Sequence, residues 1–116
     1  MRRKLTNKER QQILDKTSGR CAYCGCEGKM QIDHIVPIRT GGLDVLENMF
    51  PACRSCNHRK SSSSLESFRK QIEDFLNVLY RDSVTYRNAL RFGHIEPKPQ
   101  DIVFYFEKLE KHSLQN

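Results

Sequence analysis

Leu65, Phe68, Ile72, Phe75, Leu76 and Leu79 recur at three- and four-residue steps. This rhythm predicts a helix over 64–80 with one apolar face, a face that serves as core or as partner surface. Four serines (61–64) precede it as a linker, and Ser63-x-x-Glu66 has the form of a capping box. A further helix is predicted over 83–92, stopped by Gly93, and the PKP of 97–99 breaks the chain. Ile102–Phe106 has the β-branched and aromatic content of a strand, whereas the EKLEK that follows prefers helix, so both assignments stand there. Near the other end, Thr6-x-x-Glu9 opens a run of helix formers that Ser18-Gly19 stops, which predicts a helix over 7–17. MQIDHIV (30–36) reads as a strand limited by Pro37, RTGGLD (39–44) as a loop, and Asn48–Phe50 as a short return strand. CRSCNHRK, from Cys53, contains no breaker and reads as the start of a helix. The fold class expected is α+β, with no internal repeat.

Composition narrows this picture. The chain has 116 residues, 37% of them hydrophobic, with no Trp and a mean hydropathy of −0.70. Such a modest core calls for a staple, either a metal or a partner. MRRKLTNKER lacks the apolar stretch of a signal peptide, and Ile102–Phe106 is far too short to cross a membrane. The expected compartment is cytoplasmic, with no membrane partner. Residues 1–60 carry 12 Lys/Arg against 6 Asp/Glu, while residues 61–116 carry 8 of each. The whole net charge of +6 therefore lies in the half that holds every cysteine. A positive excess around a site favours a polyanion such as nucleic acid, set against the plainer reading of a solvated basic face.

The cysteines are Cys21, Cys24, Cys26, Cys53 and Cys56. CAYC and CRSC form two C-x-x-C knuckles separated by 28 residues. Two such knuckles from distant segments supply the four soft ligands of a closed, structural Zn²⁺ site: Cys21, Cys24, Cys53 and Cys56. The odd count and the absence of a secretory signal argue against disulfides. Cys26 is left over and is expected to be a small buried thiol.

Between and after the knuckles the chain reads Asp33-His34-x-x-Pro37, Gly41-Gly42-x-Asp44, Asn48, then Cys53-x-x-Cys56-Asn57-His58-x-Lys60. In this order and spacing the segment of about residues 20–61 resembles the HNH endonuclease family in its zinc-stapled ββα-metal form. The resemblance implies a small ββα-metal core over residues 1–62, with the first helix included, followed by a mainly helical extension over 63–116. It implies that His34 is the general base, that Asp33 and Asn57 hold a catalytic Mg²⁺ or Mn²⁺, and that Asn48 orients the base and holds the hairpin. Lys60 falls where phosphate contact is supported; Arg39, Arg54, Arg59 and His58 are further candidates for DNA contact. The family carries His where this chain has Asn57. On a helix His58 is rotated by about 100° from its neighbour, so Asn57 is the expected ligand and His58 faces DNA or solvent.

The chemistry asks for the same groups independently. An imidazole that titrates near neutrality can deprotonate water at physiological pH. A hard, oxygen-bound cation can polarise a phosphate and stabilise a leaving alkoxide. The expected function is metal-dependent hydrolysis of DNA, double-stranded for preference, in a protein of phage or mobile-element type. The rivals are a non-catalytic zinc module that binds nucleic acid, and an adaptor working through the stripe of 64–80. The C-terminal half is expected to cover the nuclease module, to form a homodimer, or to bind a larger phage or restriction protein. One tension remains in the motif. Adjacent strand residues point to opposite faces, yet Asp33 and His34 must flank one phosphate. A twisted strand that ends at this pair, crossed by the helix from Arg54, would reconcile the two.

Overall fold

A computed structural model describes residues 4–115 of the chain; residues 1–3 and 116 lie outside the described set. Its elements are α1 (Asn7–Asp15), β1 (Met30–His34), β2 (Met49–Cys53), α2 (Arg54–Lys60), α3 (Leu65–Glu73), α4 (Phe75–Asp82), α5 (Val84–Arg91) and α6 (Tyr105–Gln115). Short 3-10 turns occupy Ile38–Thr40 and Leu46–Asn48. This is a small α+β fold with a ββα core, β1–β2–α2. The chain divides into two compact units, Met1–Leu65 with Val103–Asn116, and Glu66–Ile102.

In the first unit the predicted capping box forms: Thr6 Oγ1 accepts from the Glu9 amide and Glu9 Oε1 from the Thr6 amide, each at 3.1 Å. The box fixes the start of α1, whose Ile13 packs with Ile32 and Met49 in a buried cluster joined by Leu5 and Leu46. β1 and β2 pair antiparallel, with Asp33 opposite Phe50 and His34 opposite Met49. The return strand is longer than Asn48–Phe50 and runs to Cys53 through Pro51, while Asn48 ends the preceding turn. Pro51 lacks an N–H but its carbonyl still accepts from Ala22, 2.9 Å away, so it binds the first knuckle to the sheet.

The last segment belongs with this unit. Tyr105 N–H donates to Tyr23 O at 3.0 Å and Phe106 N–H to Ala22 O at 2.8 Å. Phe104 is buried and its ring stands edge-on to Tyr23 at 5.3 Å, while Phe50 and Phe106 lie 4.7 Å apart. Ile102–Phe106 does not form a strand. It has no regular secondary structure as far as Phe104 and then enters α6, where the Phe104 amide donates to Glu107 Oε1 at 2.8 Å. A helix start satisfies those amides as well as a ladder would.

In the second unit the helix predicted over 64–80 is two helices broken at Asp74. Asp74 Oδ1 accepts from Asn77 Nδ2 at 2.9 Å, a local side-chain bond of the kind that competes with helix continuation. Glu66 pairs with Arg69, whose Nη1 also donates to Ile102 O at 2.8 Å. Of the predicted stripe Phe68 is buried, whereas Phe75 and Leu79 are exposed. Among the described residues no helix is long and apolar enough to cross a membrane.

Candidate metal centre and active site

The two knuckles meet. The Sγ atoms of Cys21, Cys24, Cys53 and Cys56 all lie within 4.8 Å of one another, with Cys24 and Cys53 at 3.8 Å. Four sulfurs each bonded at about 2.3 Å to one tetrahedral zinc stand about 3.8 Å apart, so the donor set fits structural zinc. A hydrogen bond with Cys56 pulls the Cys21 thiol down to about 4 against the opposing effect of burial, which makes it a ready thiolate. The same bond pushes Cys56 up. Cys26 departs from expectation, for it is exposed rather than buried. It stands close enough to hydrogen-bond with Cys24 and Cys53, and these bonds with desolvation push its thiol up to about 12.

The cysteine cluster spans the junction of β2 and α2, since Cys53 ends the strand and its Sγ accepts from the Cys56 amide at 3.4 Å. α2 is thereby set across the hairpin. Asn57 Nδ2 donates to Gln31 Oε1 at 2.7 Å and Lys60 Nζ to His34 O at 3.0 Å. Alternation holds within β1. Gln31 and Asp33 face α2, while Ile32 faces Ile13 of α1. His34 is the last strand residue, and side chains from both faces can converge where a ladder ends. Asp33 and His34 are buried, 4% and 6% exposed. They line one cavity of about 300 Å³ together with Asn57, Arg39, Ser61 and Ser62.

Each acid and base in the cavity has a fixed partner. Asp33 Oδ2 accepts from Tyr23 Oη at 2.5 Å and stands 3.1 Å from Lys60 Nζ. Burial, then the Asp33 charge, raise the Tyr23 phenol, so it remains protonated as the donor. His34 Nε2 lies 2.9 Å from Asp44 Oδ1. Asn48 clasps the segment after His34: its Oδ1 accepts from Val36 N–H at 2.9 Å and its Nδ2 donates to Val36 O at 2.9 Å and Leu43 O at 2.8 Å. Gly42 closes this loop. A Cβ there would meet Val36 O at 1.8 Å, which no side chain tolerates.

The expected phosphate role of Lys60 needs correction. The residue is fully buried and its ammonium is committed to His34 O and Asp33, since a cation this deep requires an anionic partner. Arg54, His58 and Arg59 are exposed on α2, and Arg39 is exposed beside the cavity. Of Asn57 and His58, Asn57 lines the cavity and His58 does not. Sequence reasoning passed over Asp44, Tyr23 and Gln31. Asp44 carried a signal as the acid after the glycine pair, but Tyr23 was visible only as a knuckle spacer.

For a divalent ion, Asp33 and Asn57 each offer this cavity a second side-chain atom, Oδ1, beside the Asp33 Oδ2 and Asn57 Nδ2 already engaged. Two hard oxygens suit Mg²⁺ or Mn²⁺, which retain water or substrate at their other positions. No curated protein matches the chain. Residues 21–63 match the family model for HNH endonuclease, covering both knuckles, the hairpin and α2. Residues 21–63, then, form an HNH endonuclease domain: a ββα core with a four-cysteine cluster that suits zinc.

Proposed function

We propose that the protein is a metal-dependent endonuclease that hydrolyses DNA phosphodiester bonds. The observation that supports this most directly is the shared cavity: Asp33, His34 and Asn57 line it, and Asp44 holds the imidazole. With Nε2–H donating to Asp44, Nδ1 of His34 carries the lone pair and takes the proton of the attacking water. The water oxygen bonds to phosphorus, the P–O bond to the leaving sugar oxygen breaks, and that oxygen departs with a proton from solvent. Tyr23 and Lys60 fix the Asp33 carboxylate, and Gln31 fixes the Asn57 amide, so both acceptors are oriented before substrate arrives. Mg²⁺ or Mn²⁺ held by Asp33 and Asn57 would supply Lewis-acid polarisation of the phosphate and charge stabilisation of the leaving group. Arg39, Arg54, Arg59 and His58 supply cationic or donor surface for neighbouring phosphates.

A plasmid-nicking assay with Mg²⁺ or Mn²⁺ tests this reading. Wild-type protein should convert supercoiled DNA to nicked or linear forms, and His34→Ala should abolish the conversion while still binding DNA. Equal activity in His34→Ala would refute the catalytic assignment, and DNA binding without cleavage by wild type would favour the non-catalytic binding module.

A further inference from the structure

A second hollow, of about 330 Å³, has a different chemistry from the cavity that holds Asp33 and His34. Val36, Leu43 and Val45 line it, with Gly41 and Gly42, and Glu47 is its one charged residue. Leu43 is 68% exposed and Val36 49%. Three aliphatic side chains of one short loop thus meet at a single hollow. The loop is also stiff. Asn48 bonds both Val36 and Leu43, and the Gly42 amide donates to Pro37 O at 2.9 Å.

The two hollows are contiguous along the chain. Val36 lines the aliphatic one, while its neighbour Pro37 lines the one that holds Asp33 and His34. Adjacent Cα atoms are about 3.8 Å apart, so a strand with its phosphate at His34 carries its sugar and base within reach of Val36. The catalytic cavity has Arg39 and Asn57 for an anion or a cation–phosphate pair. The aliphatic hollow has a carboxylate, which repels phosphate, and apolar walls, which suit the face of a flat neutral group. Glu47 can also accept from an exocyclic amino group such as that of cytosine.

We infer that the Val36–Leu43–Val45 hollow receives a nucleobase unstacked from the strand being cut, so that the preferred substrate is DNA at a flexible, mismatched or bulged step. This rests on the endonuclease reading above. The hollow offsets the cost of unstacking, and a base that is already extrahelical needs it less.

The test uses duplexes with 2-aminopurine at successive positions around the cut, with the full chain and no added Mg²⁺. Wild type should raise the fluorescence severalfold at one position, and L43S should lose that rise. With Mg²⁺ or Mn²⁺, L43S should cut the perfect duplex about tenfold more slowly, yet cut a duplex with a single-base bulge at that position less than about threefold more slowly. Leu43 is exposed, so L43S should keep its zinc and melting temperature; V45S provides a second reading of the same wall. A silent fluorophore with intact cleavage, or equal slowing on both duplexes, overturns the inference and leaves the nuclease reading standing. Wild type that raises the fluorescence but never cuts overturns the nuclease reading and upholds the hollow as a base site. Absence of both cutting and binding overturns both.

Discussion

Asp44 Oδ1 lies 2.9 Å from Nε2 of His34, across ten residues of chain. The bond selects which ring nitrogen carries the proton and holds the ring in one orientation, as the proposed role of His34 requires. Asp44→Ala should lower kcat by about 10–100-fold with little change in KM for DNA. Asp44→Asn keeps an acceptor without the charge and should fall between the two. Steady-state cleavage kinetics on one defined duplex decide this, and an unchanged kcat in Asp44→Ala would mean that His34 is oriented by other groups.

Lys60 and Asp33 make a buried ion pair, 3.1 Å between Nζ and Oδ2. Lys60→Met would leave the Asp33 carboxylate buried without its cation and should destabilise the fold by about 3–5 kcal/mol. Tyr23→Phe removes only the hydroxyl donor to Asp33 and should cost about 1–3 kcal/mol. Urea denaturation followed by circular dichroism measures both. A loss under about 1 kcal/mol for Lys60→Met would place its ammonium in solvent and restore the phosphate role.

The four-sulfur cluster should contain one zinc per chain by metal analysis. Cys56→Ala should lose it and the ordered hairpin, because α2 is positioned through the knuckles. Cys26→Ser should retain it, since Cys26 stands outside the four. Strong chelators should unfold the first unit, and acidification should release the ion as the thiolates protonate. Full zinc occupancy in Cys56→Ala would show that Cys26 can replace a ligand.

Phe104 joins the C-terminal segment to the knuckle through Tyr23, the residue that also fixes Asp33. Phe104→Ala should destabilise the protein by about 3–5 kcal/mol. It should also weaken cleavage at temperatures where the fold survives, as Tyr23 loses its packing. Thermal melting beside single-turnover cleavage separates the two effects. A melting temperature equal to wild type would mean that residues 103–116 are dispensable to the nuclease unit.

By itself the sequence determined the features that depend on local chemistry. Ligand spacing announces a zinc cluster because two C-x-x-C turns can each present a pair of thiolates, and the capping box at Thr6 is complete within four residues. The HNH pattern is likewise a run of ordered residues, legible before any packing is known. Tertiary structure alone decided where long or ambiguous side chains go. Lys60 carries the same formula as a surface lysine, and only the crossing of α2 over β1 turns its ammonium inward to Asp33. Asp44 and Tyr23 acquire partners ten residues away that no periodicity encodes. Ile102–Phe106 had the content of a strand and the EKLEK after it that of a helix; in the fold the helix reaches back to Tyr105, and Phe104 packs against Tyr23. Asp33 and His34 point apart under strand alternation, yet they share a cavity because the ladder ends at His34. Spacing encodes what neighbours along the chain can do, whereas burial and pairing across the fold belong to no single segment.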